Sequence, residues 1–265
     1  MFFYFSGLSE INDALMLKRA GVNQVLVNPT KIHLSQGFLK VALDSNAYYH
    51  FRYGGTLDVI RYMEIAVSGN YAWISAPDVI GDPETTYQNW LTARRWLKQN
   101  FESSPVRMIP IWGWDTPKKF LNHYLQHSRI VGIGGLVMLM RQGKSKNPEE
   151  RAIAYKMLRQ LKTLCQQYPQ RFHIYGCNWT VALNHLRSLA YSADSSLAWD
   201  GARYGLIIHT RNGKLIRTPA WKLGFENGKL GALYVPETFD GLWHRGSALS
   251  RWFMQCDQGY PLCKF

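Results

Sequence analysis

Eight short runs of bulky, nearly uncharged residues, spaced by helix-patterned segments, constrain this chain more than any other feature. They cover residues 2–5, 24–28, 39–44, 71–76, 107–112, 130–136, 171–176 and 189–195. Runs of this length without polar alternation fit strands covered on both faces, as in parallel sheets. Between them, residues 85–100 place Trp90, Leu91, Ala93 and Leu97 near one side, with Arg94, Arg95 and Lys98 largely elsewhere. Residues 147–167 open on Asn147-Pro148-Glu149-Glu150, a cap followed by proline and first-turn acids. Strand and helix in alternation predict an α/β protein, a (β/α)8 TIM barrel over residues 1–200. A doubly wound sheet competes, but no Gly-x-Gly-x-x-Gly follows the first run.

After residue 198 the texture changes. Residues 206–210 and 215–218 flank Asn212-Gly213, the signature of a hairpin with a two-residue turn, and Asn227-Gly228 offers a second. This stretch is rich in aromatics and bases, among them Arg203, Arg211, Lys214 and Arg217. Residues 201–265 therefore read as a basic, hairpin-containing extension packed on the barrel. No tandem repeat, low-complexity segment or Gly/Ser/Pro-rich linker divides the chain.

The 265 residues are 46% hydrophobic and 14% aromatic, enough to bury a sizeable core, which excludes intrinsic disorder. Lys and Arg outnumber Asp and Glu by 31 to 18, a net charge of +13 that attracts polyanions such as nucleic acid. Nothing approaches the ~20 apolar residues of a membrane span. The apolar start Met1-Phe2-Phe3-Tyr4-Phe5 lacks the basic region of a secretory signal. Cys165, Cys177, Cys256 and Cys263 are too scattered for a disulfide framework. A cytoplasmic protein with no membrane partner is the expectation.

Barrel enzymes place their chemistry on the loops that follow the carboxyl ends of the strands. Three runs deliver an aspartate there: Asp44 in Val41-Ala42-Leu43-Asp44-Ser45, Asp78 after Ala76-Pro77, and Asp194 in Ser192-Ala193-Asp194-Ser195-Ser196. Aspartate also caps helices and makes Asx turns. Three gathered at one rim is different, because unpaired carboxylates repel. Converging carboxylates suit displacement at a sugar carbon, one as nucleophile and another as proton donor. Gly132-Ile133-Gly134-Gly135-Leu136 lets backbone approach a ligand closely or serves helix–strand packing. Tyr48, Trp112, Trp114 and Tyr175 also follow strand ends, as core residues or as a sandwich for a planar base. His123 and His127 stand four apart on a helix without an accompanying acid motif, and Cys256 and Cys263 near His244 lack zinc-knuckle spacing, so no metal is expected. No P-loop and no Gly-x-Ser-x-Gly is present.

Taken together, these segments resemble the guanine transglycosylase superfamily, whose members exchange guanine for a 7-deazaguanine in tRNA or, in a branch of phages and genomic islands, in DNA. The family's Asp-Ser-Gly-Gly-aromatic signature matches Asp44-Ser45-Asn46-Ala47-Tyr48 with both glycines replaced, and its Gly-Gly-Leu turn is kept as Gly134-Gly135-Leu136. Ser192-Ala193-Asp194-Ser195-Ser196, followed by Gly201-Ala202-Arg203-Tyr204-Gly205, and Ala76-Pro77-Asp78-Val79-Ile80-Gly81-Asp82 are most like the DNA branch. The resemblance implies Asp194 as nucleophile and Asp44 as general acid and base. It also implies that Asp78 reads the guanine edge, that Tyr48 and Tyr175 flank the base, and that Gly135-Leu136 contact it through backbone. It implies DNA as partner, with tRNA as alternative, a free 7-deazaguanine as co-substrate and no cofactor. Arg203, Arg211, Lys214 and Arg217 are assigned to phosphate contacts. Two departures stand out. The zinc site of the tRNA enzymes is missing, and the glutamine that helps recognise the base is replaced by Trp112 before Gly113. A nucleoside glycosidase and a non-catalytic nucleic-acid-binding protein are the competing readings.

Overall fold

The computed structural model of the chain describes residues 1–19, 22–196, 206–211 and 214–219. All eight apolar runs contain strand. These are β1 (Phe2–Phe5), β2 (Gln24–Val27), β3 (Lys40–Leu43), β4 (Trp73–Ser75), the pair β5 (Met108–Ile109) and β6 (Ile111–Gly113), β7 (Val131–Gly134), β8 (Phe172–Ile174) and β9 (Ser192–Ser195). They form one sheet in the order β5-β4-β3-β2-β1-β9-β8-β7-β6, every neighbouring pair parallel. Only Pro110 separates the two ends of that order. Proline has no N–H to give to a ladder. Its carbonyl still accepts from Gly132 N at 2.8 Å, and the carbonyl of Ile109 accepts from Ala76 N at 2.8 Å. One stretch of chain thus pairs with β4 before the proline and with β7 after it, leaving a nearly closed, barrel-like sheet compatible with a TIM-barrel-like fold.

Helices fill the connections: α1 (Ile11–Arg19), a 3-10 helix (Pro29–Ser35), α2 (Ala47–Tyr53), α3 (Val59–Ser68), α4 (Pro83–Asn100), α5 (Lys118–His127), α6 (Val137–Gln142), α7 (Pro148–Gln167) and α8 (Thr180–Leu186). Their starts are written in the sequence. Asp82 accepts from Thr85 N at 2.9 Å with Pro83 behind it, so α4 begins two residues before the apolar periodicity does. Asn147 accepts from Glu149 N at 2.9 Å and opens α7.

The sheet is buried on both faces, which is why its strands lack alternation. Outside, Trp90, Leu121, Ile133, Leu158 and Leu161 pack the helices onto it. Inside, Tyr4, Leu26, Ala42, Trp73, Ile109 and Ile130 fill the space, with Phe2, Tyr175 and Tyr191 partly buried against them. The interior is therefore packed and is not a pore.

The sequence-predicted hairpin is also present. β10 (Leu206–Arg211) runs antiparallel to β11 (Lys214–Pro219), with Arg211 opposite Lys214. Asn184 of α8 secures it, donating to the Leu215 carbonyl at 2.9 Å and accepting from Leu215 N at 2.8 Å, while the Leu215 side chain is buried. The Asn212-Gly213 turn, the second turn at Asn227-Gly228, Arg203, His244, Cys256 and Cys263 lie outside the described residues. Among the described residues no helix is long and apolar enough to cross a membrane.

Candidate active site at the carboxyl ends of the strands

Because the strands are parallel, their carboxyl ends share one rim. Asp44 follows β3 directly, its N–H continuing the ladder to the Val27 carbonyl at 2.7 Å. Asp78 stands three residues past β4, and Asp194 is the third residue of β9. Asp194 is only 4% exposed, and its Oδ1 accepts from Gly176 N at 2.9 Å. Gly176 has φ 60°, a left-handed turn after β8 that aims this amide at the carboxylate. Ser45, itself buried, donates its hydroxyl to Asp78 Oδ1.

The three carboxylates share one electrostatic environment. Burial pushes Asp44 up to about 7, and the charges of Asp78 and Asp194 add to the rise. Burial also lifts Asp78 to about 6, against the pull of the Ser45 hydroxyl. At neutral pH the site therefore keeps a proton on Asp44 for much of the time. A recessed carboxylic acid that can give and take a proton near pH 7 suits general acid–base work.

The loop after Asp44 is a tight, left-handed turn. Asn46 sits at φ 67° and its N–H donates to Asp44 Oδ2 at 3.3 Å. The left-handed region favours glycine, and asparagine is the side chain that enters it most readily. Asn46 therefore makes the turn without a glycine. Gly135, at φ 76°, holds a second turn, and a Cβ there would lie 3.4 Å from Trp114 N. The Gly134 carbonyl accepts from that same N–H at 3.1 Å. Leu136 buries its side chain in the helix-side core and stands at the N-cap position just before α6.

Tyr175 spans the interior. Its hydroxyl lies 2.6 Å from Ser75 Oγ, and its ring lies over Gly132, where a Cβ would come within 2.4 Å of ring carbon Cε2. Burial, with the nearby negative charge of Asp44, raises its phenol well above the ordinary range. Tyr48 is different. It lies in the first turn of α2 and is 49% exposed, in a row of exposed aromatics with Tyr49, Phe51 and Tyr53.

Trp112, expected to face the base, is not brought to the carboxylates. It pairs in register with Ile133 and packs among Leu121, Ile133 and Leu161 on the helix side of the sheet. The period of a strand is two, so the neighbouring positions Ile111 and Gly113 face inward and Trp112 outward. It lines, with Trp114, a groove of about 640 Å³ between α5 and α7. Lys118, Lys156 and Arg159 edge this groove, and among the described residues none of them has an ion-pair partner.

His123 and His127 stack at 4.2 Å, His123 meeting the Tyr87 hydroxyl at 3.1 Å and His127 its own helix's carbonyl at residue 123 at 2.9 Å. Among the described residues no group of three or more metal-ligating side chains converges. Lys214 is exposed at the hairpin, and Arg211 and Arg217 belong to β10 and β11.

His173 was missed from the sequence. It is fully buried on β8, with Nε2 3.4 Å from Asp194 Oδ1. The signal was a polar residue two positions before Tyr175, hence on the same strand face. No protein-family model and no curated protein matches the chain.

Proposed function

We propose that the chain is a base-exchanging glycosyl transferase that replaces guanine in DNA with a free 7-deazaguanine. Counting β5 and β6 as one strand broken at Pro110 leaves eight strands, which supports reading the sheet as a (β/α)8 barrel. The observation that carries the reading is the pairing of unlike carboxyls at one rim. Asp194 is held in place by a backbone amide, beside Asp44 with a pKa of about 7. Environments that separate the roles of neighbouring carboxyls mark the nucleophile and the proton carrier.

The target base must first leave the stack, since its C1′ cannot be reached inside a duplex. Asp194 attacks C1′ from the face opposite the base, forming a C1′–O ester as the C1′–N9 bond breaks. The bonding pair leaves with guanine, which takes the proton held by Asp44. The incoming deazaguanine gives its N9 proton to Asp44 and attacks C1′, and the ester oxygen departs as the Asp194 carboxylate. Atoms and charge balance with no oxidant or metal in the scheme. Asp78, steadied by Ser45, faces the base edge, and Tyr175 supports it from within the barrel.

A nucleic-acid substrate, in place of a small nucleoside, is supported by two surface features. The α2 aromatics offer faces on which unpaired bases stack. The unpaired cations of the α5–α7 groove, within a chain of net charge +13, offer contacts for phosphate. The resemblance of the Asp78 and Asp194 segments to the DNA branch selects DNA over tRNA.

Incubating the protein with DNA, and separately with tRNA, in the presence of 7-deazaguanine bases and analysing nucleosides by mass spectrometry tests this. Deazaguanosine in DNA is the expected product. Label in tRNA alone moves the chain to the tRNA branch, and guanine release without incorporation makes it a glycosidase. Binding with no chemistry leaves a nucleic-acid-binding protein.

A further inference from the structure

His173 takes no part in the scheme above, yet it lies against the nucleophile. The ring is enclosed by Trp73, 4.6 Å away, and Tyr175, 4.4 Å away, measured between ring centres. Its Nδ1 is 2.8 Å from the buried Ser192 Oγ. Its Nε2 has no hydrogen-bond partner but stands 3.4 Å from Asp194 Oδ1. A buried polar atom left unpaired is costly and calls for a reason. Catalytic hydrogen bonds that are long in the free enzyme tighten when substrate is bound.

We propose that Ser192 and His173 fix the Asp194 carboxylate so that Oδ2 is the attacking oxygen, with His173 as a positioning residue; this rests on Asp194 being the nucleophile. Ser192 donates its hydroxyl proton to Nδ1, and the neutral ring then carries its one N–H on Nε2, facing Oδ1. The opposite tautomer would set the Nε2 lone pair against carboxylate lone pairs in a buried site, which is repulsive. Oδ1 thereby meets two donors, Gly176 N–H and His173 Nε2–H. Among the described residues no donor reaches Oδ2. When Oδ2 bonds to C1′, Oδ1 becomes the ester carbonyl oxygen. When the ester breaks, negative charge returns to the carboxylate beside Nε2–H. The histidine therefore assists ester breakdown more than ester formation, as donors aimed at developing charge do.

The first test is the tautomer of His173, read from two-bond proton–nitrogen correlations of the labelled wild-type protein at neutral pH. The Nε2–H pattern is expected, and a proton on Nδ1 overturns the proposal. The second compares His173→Gln, whose amide keeps a donor near the Nε2 position, with His173→Leu, which has none. Covalent adduct formation and adduct breakdown by added base are timed separately. His173→Leu should slow breakdown about tenfold or more and formation less, while His173→Gln stays within about threefold of wild type. Equal losses in both variants, or a loss confined to formation, overturn it. Should His173→Leu not fold, Ser192→Ala decides the same question: Nε2–H must fall in population along with the breakdown rate. A wild type that forms no adduct removes the nucleophile reading and this inference together. An active wild type with Nδ1 protonated removes this inference alone.

Discussion

The rim of the sheet and the groove between α5 and α7 carry opposite charge in opposite circumstances. At the rim, three carboxylates are gathered where burial and mutual repulsion raise the pKa of Asp44 to about 7. At the groove, Lys118, Lys156 and Arg159 stand at the surface. The rim is costly to build: among the described residues no lysine or arginine pairs with its carboxylates, and Ser45, Gly176 and Asn46 donate to them, the kind of place where a functional site is looked for. The groove costs the fold little, because exposed cations stay hydrated. On the proposed reading chemistry and affinity fall to different surfaces, and mutations should separate them.

The largest effect is expected from Asp194→Asn, which should abolish the covalent adduct on a denaturing gel and lower exchange by about 10³-fold or more, with nucleic-acid binding retained. Exchange surviving in this variant would remove the proposed nucleophile. Asp44→Asn comes next, with a loss of about 10²-fold in exchange and slow adduct formation persisting for a good leaving base. Single-turnover rates over pH sharpen the contrast. In the wild type base release should decline as pH rises through about 7, where Asp44 gives up its proton, and that limb should be missing in Asp44→Asn.

A smaller effect belongs to the groove. The double change Lys156→Ala and Arg159→Ala should leave exchange at saturating DNA unaltered while the slope of log affinity against log salt shrinks by about 2. An unchanged slope, measured by anisotropy across a salt series, would take the groove out of the interface. The remaining effect is on stability, outside the catalytic cycle. Asp44 has a folded-state pKa raised from 3.8 to about 7, so its ionisation works against folding progressively between about pH 4 and 7 and fully above that. Asp44→Asn should therefore be more stable than wild type at pH 8, by up to about 4 kcal/mol if the whole rise from 3.8 to about 7 is relieved at about 1.4 kcal/mol per pH unit. The gain should fade to nothing below about pH 3, where Asp44 is protonated in both the folded and the unfolded chain. A gain independent of pH would mean that charge is not its cause.

How much of this was legible depended on which physical signal each element left. The eight runs were visible because strands covered on both faces need bulky, uncharged residues throughout, and caps such as Asn147-Pro148 announce themselves locally. Side-chain facing was not visible for the same reason. A run with no alternation carries no record of which residue points in, so Trp112 read as a site residue although strand parity turns it toward the helices. His173 escaped notice inside an apolar run, since its role depends on β9 lying beside β8, a pairing the sequence does not spell out. Asn46 gave no sign of a turn in the sequence, whereas the backbone shows it in the left-handed region that glycine usually fills.

The hydrogen bond between the Tyr175 and Ser75 hydroxyls joins the end of β8 to β4, strands with β3, β2, β1 and β9 between them, and so crosses the interior of the sheet. With Trp73 and Tyr4 packed in the same interior, the space below the carboxylates is filled from within among the described residues. On the proposed chemistry both bases then enter and leave on the rim side, and the departing guanine must clear the passage before its replacement enters, while the sugar waits on Asp194. The order of events would then be imposed by architecture instead of relative affinity: two half-reactions in strict alternation, with parallel lines in double-reciprocal plots. It would also make the free enzyme and the sugar-bearing enzyme rivals for whichever base is at the threshold.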